Sequence, residues 1–167
     1  MISPATLSLP NLVTLSRILA IPLFLILLFF GNPWAAALFF LLIAATDALD
    51  GWLARRLSQT SDLGKLLDPL ADKILIISAL IALIEVRGIP AFPVILIVGR
   101  DLTVSLVRLN AAQAGEIIGA SFWGKIKTTS QVLAVWMLIL SWPYALTVLW
   151  VAVILALLSG VDYLVRR

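Results

Sequence analysis

Asp47-Ala48-Leu49-Asp50-Gly51-Trp52-Leu53-Ala54-Arg55, followed by Gly64, Asp68 and Asp72, is the stretch on which the reading of this chain turns. Its spacing is D-x2-D-G-x2-A-R-x8-G-x3-D-x3-D, set in a chain that is 62% hydrophobic and only 13% charged. An Asp near the middle of a membrane-spanning helix costs about 2.5–3.5 kcal/mol on insertion-derived scales, so four facing lipid would cost roughly 10–14 kcal/mol. Some counter-charge must offset that, and clustered carboxylates point to bound divalent cations.

Composition supports the membrane setting. Soluble domains carry charge on about a quarter of their residues, whereas this 167-residue chain has a mean hydropathy of +1.12. A crossing takes about 20 residues, which leaves room for about six or seven crossings and little else. The first nine residues carry no basic group, so the start reads as a retained first helix rather than a cleaved signal peptide. The absence of Cys and His excludes disulfides, thiolate nucleophiles, His-ligated zinc and His general bases. A catalytic base here must be a carboxylate or a less usual group such as Lys or Tyr.

Turn signals divide the chain. Gly31-Asn32-Pro33 breaks the long uncharged run, predicting helices over about residues 12–30 and 34–56. Ser58-Gln59-Thr60-Ser61-Asp62 reads as a loop, with a third helix over about 63–86 that Pro69 should kink. Gly88-Ile89-Pro90 is the next turn, and a fourth helix follows over about 91–113. Residues 114–127, with three glycines and two lysines, form the longest connection, with room for a short interfacial helix. Helices over about 128–141 and 145–165 complete an all-α integral membrane protein of six transmembrane helices, a single catalytic domain spanning residues 1–167.

Six crossings place both termini on one side. With them lie Arg17, Arg55, Arg56, Lys65, Arg108, Lys125, Lys127, Arg166 and Arg167, against Arg87 alone on the other. By the positive-inside rule the termini are cytoplasmic, and the Asp string opens toward the cytoplasm.

On a helix, Asp47, Asp50, Gly51, Ala54 and Arg55 fall within an arc of about 140°, and Gly64, Asp68 and Asp72, four apart, share one stripe. Two antiparallel helices could then face each other with two Asp apiece. Oxygen ligands without nitrogen or sulfur suit Mg²⁺, Mn²⁺ or Ca²⁺ rather than zinc, and four carboxylates suit a two-metal site acting on a phosphoryl centre. Gly51 and Gly64 leave space for a bulky ligand, and Arg55 could grip a phosphate with both arms of its guanidinium. The competing structural reading pairs Asp47 or Asp50 with Arg55, and Asp72 with Lys73 or Arg100. A reading from another class makes the four Asp the ion site of a small cation transporter.

The string resembles, at each fixed position, the signature of the CDP-alcohol phosphatidyltransferase family. That resemblance implies a six-helix, usually dimeric membrane fold using divalent metal, two Mg²⁺ or Mn²⁺ ions, to move a phosphatidyl group from CDP-diacylglycerol to an alcohol with release of CMP. It makes Asp47, Asp50, Asp68 and Asp72 the metal ligands and Asp72 also the general base. Gly51, Ala54, Arg55 and Gly64 would line the CDP pocket. The implied partners are membrane lipid and a second copy of the chain, in a bacterial-type plasma membrane, with no nucleic acid.

The second half resembles the branch whose acceptor is sn-glycerol 3-phosphate, on the strength of Gly99-Arg100-Asp101-Leu102-Thr103-Val104-Ser105, Arg108 and Trp123-Gly124-Lys125-Ile126-Lys127-Thr128-Thr129-Ser130-Gln131. Arg100 and Arg108, eight apart on one helical face, with Lys125 and Lys127, would hold the acceptor's phosphate. The structural alternatives pair Arg100 with Asp101, although adjacent helical positions diverge by about 100°, and make the two lysines membrane anchors. Asp101 and Leu109 depart from the family pattern, which has Glu at both positions in many members. The branch using phosphatidylglycerol, cardiolipin synthase, is the nearest alternative.

Overall fold

Gly31-Asn32 and Gly88-Ile89-Pro90 separate the helices they were expected to separate, while of the expected loop Ser58–Asp62 residues 58–61 lie outside the described residues and Asp62 opens the next helix. The computed structural model describes residues 9–57, 62–113 and 122–165, with side chains described at 16, 19–46, 73–107 and 123–162. Among the described residues the chain is all-helical: α1 (Leu9–Phe30), α2 (Pro33–Leu57), α3 (Asp62–Arg87), α4 (Ala91–Gln113), α5 (Phe122–Ile139) and α6 (Ala145–Val165). It divides into two compact units, residues 1–82 and 83–167.

In the first unit α1 packs on α2, joined by a two-residue turn. The Gly31 N–H donates to the Leu27 carbonyl at 2.9 Å, and a Cβ at Gly31 would lie 2.7 Å from that oxygen, so only glycine fits. Asn32 then caps α2, its Oδ1 accepting the Trp34 N–H at 2.8 Å, and Pro33 occupies the first helical position, where a missing N–H is no loss. Phe24 and Phe40 lie at similar distances from this turn and are both fully buried. Their rings are 5.6 Å apart and tilted by 43°, with Ile21, Leu28, Ala36, Ala37 and Ile43 around them in the core.

Helix α3 continues through Pro69 without interruption to Arg87. Gly88, at φ +62°, ends it in the left-handed conformation that glycine tolerates best, and Pro90 prevents resumption.

In the second unit α4 and α5 both pack on α6. Ala145, Leu149, Ala152, Val153 and Ala156 form its buried face. Small residues there let neighbouring backbones approach closely, the usual way helices pack when lipid removes any hydrophobic drive between them. Trp150, Ile154, Leu158 and Val161 are exposed on the opposite side. Within α6, Ala145–Asp162 is long and apolar enough to cross a membrane by length and composition; shorter apolar stretches are Leu19–Phe30 and Pro33–Thr46.

The largest departure from expectation is α5, which begins at Phe122 rather than near residue 128. The expected connection over 114–127 thus ends in helix, and its earlier part, where a short interfacial helix was expected, lies outside the described residues. Hydroxyls support the early turns: Thr128 Oγ1 donates to the Gly124 carbonyl at 3.1 Å and Ser130 Oγ to that of Lys127 at 2.7 Å. At the other end the Trp142 N–H reaches the Met137 carbonyl and the Ser141 N–H that of Leu138. With Ser141 at φ +53°, this is a Schellman closure, and it stops α5 before residue 141. Arg87 donates to the terminal Ile139 carbonyl at 2.6 Å, satisfying an acceptor the helix cannot.

Phe40→Ala is expected to destabilise the protein by about 3–5 kcal/mol, whereas Leu38→Ala, on an exposed position of the same helix, should stay within about 0.5 kcal/mol. Detergent-induced unfolding followed by circular dichroism would check both.

Candidate functional site

The Asp string falls on two regular helices. Asp47, Asp50, Gly51, Ala54 and Arg55 lie in the last turns of α2, and Gly64, Asp68 and Asp72 in the first turns of α3. Both helices carry the backbone periodicity that the one-face reading needs. The side chains of these eight residues lie outside the described set, as does that of Arg108 on α4. The structural pairings of Asp47, Asp50 and Asp72 therefore stay open.

The described part of the candidate site is a polar knot inside the second unit. Its centre is Asp101 on α4, 3% exposed. Arg100 NH1 donates to Asp101 Oδ1 at 3.1 Å, and Lys127 Nζ donates to Oδ2 at 2.6 Å. Gln131, one turn beyond Lys127 on α5, adds Nε2 to the same oxygen at 3.4 Å. From α6, Ser159 Oγ accepts from Arg100 NH2 at 3.0 Å. One carboxylate thus joins α4 to α5 directly, and to α6 through Arg100.

This geometry settles how Arg100 is held. Neighbouring helical positions diverge, yet the arginine's length lets its guanidinium fold back onto Asp101, so the pairing named as the structural alternative forms. Arg100 keeps one buried atom, Nε, with no hydrogen-bond partner. Lys127 is buried with Asp101, while Lys125, two residues earlier and on another side of α5, is exposed. Lys125 is therefore the expected cation most open to a ligand among those whose side chains are described.

Sequence reasoning named Gln131 only as the end of the family-like stretch, without a role, and did not single out Ser159 or Gly160. Gln131 and Lys127 are four apart, hence on one face of α5, which was a usable signal. A serine and glycine together near the end of the largely apolar α6 were a weaker one, since Ser159 lies 59 residues from its partner in sequence.

A buried ion pair stripped of one partner leaves an uncompensated charge and typically costs 3–5 kcal/mol. Asp101→Asn, which leaves two buried cations uncompensated, should destabilise the protein more than Lys127→Met, after which Asp101 keeps Arg100, and the double variant should be less destabilised than the two losses summed, with a coupling of about 1–3 kcal/mol. Thermal unfolding of the four proteins in one detergent closes that cycle; additive losses would mean the 2.6 Å contact carries no stability.

Known proteins resemble this chain along most of its length. Residues 7–158 match the family model described as CDP-alcohol phosphatidyltransferase. A Bacillus subtilis protein named CDP-diacylglycerol--glycerol-3-phosphate 3-phosphatidyltransferase is 39% identical, over 93% of this chain and 93% of its own length. Proteins of the same name from Haemophilus influenzae and Escherichia coli are 35% and 36% identical, each over 94% of this chain, and over 91% and 93% of their own lengths.

Proposed function

The chain belongs to the CDP-alcohol phosphatidyltransferase family, and from that membership we propose that it transfers the phosphatidyl group of CDP-diacylglycerol to sn-glycerol 3-phosphate, giving phosphatidylglycerophosphate and CMP. The observation that carries this reading is the 39% identity, over nearly the full length of both chains, to a relative named for that reaction. The basic residues of α4 and α5 supply a physical reason for it, since a phosphomonoester acceptor needs a cluster of cations.

Oxygen-only chemistry of the donor set supports divalent metal. Asp47, Asp50, Asp68 and Asp72 recur at helical spacing, and the sequence holds no His or Cys that would favour a softer ion. These four fit Mg²⁺ or Mn²⁺ and would hold two ions. When bound, the metal supplies charge neutralisation on the diphosphate and the departing CMP oxygen.

The remaining steps fall to the protein's own groups. Asp72 takes the proton of the acceptor hydroxyl, whose oxygen forms a bond to the phosphatidyl phosphorus as the bridging bond to CMP breaks. Gly51, Ala54, Arg55 and Gly64 form the CDP pocket, Arg55 meeting a phosphate through its guanidinium. Arg100, Arg108, Lys125 and Lys127 hold and orient the acceptor's phosphate. The chain acts as one catalytic domain of six membrane crossings, its termini and active site toward the cytoplasm, and assembles as a homodimer.

Purified protein with Mg²⁺ or Mn²⁺ is expected to release CMP from CDP-diacylglycerol only when glycerol 3-phosphate is added, and chelation by EDTA should stop it. Release driven equally by phosphatidylglycerol would reassign the chain to cardiolipin synthesis, and metal flux without CMP release would make it a transporter. Asp72→Asn should cut kcat by about 10²–10⁴-fold with lipid binding partly kept. Arg108→Ala should raise the KM for glycerol 3-phosphate by about 10- to 100-fold and that for the lipid far less; an unchanged acceptor KM would refute the basic-cluster assignment.

A further inference from the structure

Asp101 makes contacts that a simple helix-stapling carboxylate does not need. It holds both Arg100, at 3.1 Å, and Lys127, at 2.6 Å, two of the four cations assigned to the acceptor. The side chains of all three are closed off, with 12%, 8% and 4% of the Arg100, Lys127 and Asp101 surfaces accessible. A carboxylate divided between two cations leaves the trio with a formal positive charge while removing the freedom of both side chains. Unpaired, each would carry rotamer entropy to be lost on meeting a ligand, and the two would repel.

Arg100 is fixed from its far side as well. NH2 is bound to Ser159, and Nε lies directly over Gly160, where a Cβ would come within 3.1 Å of Nε, 3.4 Å of Cγ and 3.8 Å of Cδ. Nε itself is buried without a partner. An unsatisfied buried donor is a cost, accepted here where the guanidinium is trapped between α4's carboxylate and α6's bare backbone. Any residue larger than glycine at 160 would push the side chain away.

We infer that Asp101 is a positioning residue for acceptor binding: with Ser159 and Gly160 as a platform, it locks Arg100 and Lys127 into one arrangement that meets the acceptor's phosphate preorganised. This rests on the proposed role of those cations in glycerol 3-phosphate recognition. Asp101 touches no reacting atom; it acts through Arg100 and Lys127, and so governs KM for the acceptor rather than the chemical step.

Steady-state kinetics of the full-length protein in detergent, measured as CMP release, separates the layers. Asp101→Asn should raise the KM for glycerol 3-phosphate by about tenfold or more and leave that for CDP-diacylglycerol within about twofold. Asp101→Glu, which restores the charge, should recover most of the loss. Gly160→Ala tests the same device without altering a polar group. Alanine favours the helix over glycine, which offsets the few tenths of an ångström that Arg100 must give, so the variant should fold with a thermal midpoint close to that of the wild type. Displacing Arg100 by a few tenths of an ångström should nevertheless raise the acceptor KM about threefold.

Should Asp101→Asn fail to fold, Gly160→Ala and Ser159→Ala carry the test. An unchanged acceptor KM in folded variants, or a loss confined to kcat and stability, overturns the positioning role while leaving the proposed reaction intact. A wild-type protein whose CMP release ignores glycerol 3-phosphate would overturn both.

Discussion

The contact between the Lys127 ammonium and the buried Asp101 carboxylate is the interaction around which the second unit is organised. Packing between apolar helices is non-directional, and where the surrounding solvent is as apolar as the helix surfaces, burial alone does not fix how one helix is rotated against the next. A carboxylate on α4 that must reach an ammonium on α5 does fix it, because a 2.6 Å ion pair tolerates little rotation of either helix. Arg100 extends the constraint to α6 through Ser159. Three helices are thus set in register by one acidic side chain that would be prohibitive to bury alone.

Helix α6 shows the division of labour that follows. From Ala145 to Ala156 its buried face is alanine, leucine and valine, small enough for close approach and free of polar demands. One turn later the same face changes to Ser159 and Gly160, and there the polar knot is seated. The apolar length supplies packing, and the last turns supply a hydroxyl and a gap. Arg100 needs both, since its guanidinium is bound by Ser159 and its Nε lies where a Cβ at position 160 would crowd it. The unpartnered Nε is a sign that shape, rather than complete hydrogen bonding, decides where the group sits.

How far this was legible from sequence depends on the range of the contact. Gly31-Asn32-Pro33 and Gly88-Ile89-Pro90 announced their turns because backbone conformation there is a local property: a clash with Leu27, a cap on Trp34, a left-handed Gly88. The start of α5 was misplaced because three glycines and two lysines over 114–127 look like a connection, whereas the hydroxyls of Thr128, Thr129 and Ser130, just beyond it, bond back to the carbonyls of Gly124, Lys125 and Lys127. Arg100 and Asp101 looked mismatched when judged by the directions of their Cβ atoms, and a long side chain overrode that geometry. Ser159 and Gly160 carried almost no signal, since their meaning depends on a residue one helix and a long connection away. The Asp string was legible as a pattern because spacing by three and four is itself the structural statement, and α2 and α3 supply the helical backbone that makes it one.

On the proposed reading, a carboxylate among the acceptor's cations removes positive charge that would attract an anionic substrate. That loss favours selectivity once competing anions are considered. A membrane enzyme works beside lipid phosphates at high local concentration, and four unconstrained cations would attract them as readily as a soluble phosphomonoester. Specificity is a difference of affinities, and lowering the charge available to every anion costs the wrong partner as much as the right one. What remains is geometry: Arg100 and Lys127 held at fixed positions favour a ligand whose phosphate can meet both together, which a headgroup phosphate tethered to two acyl chains does less easily. Asp101 then trades general attraction for orientation, and its burial between the two cations is what makes that exchange durable.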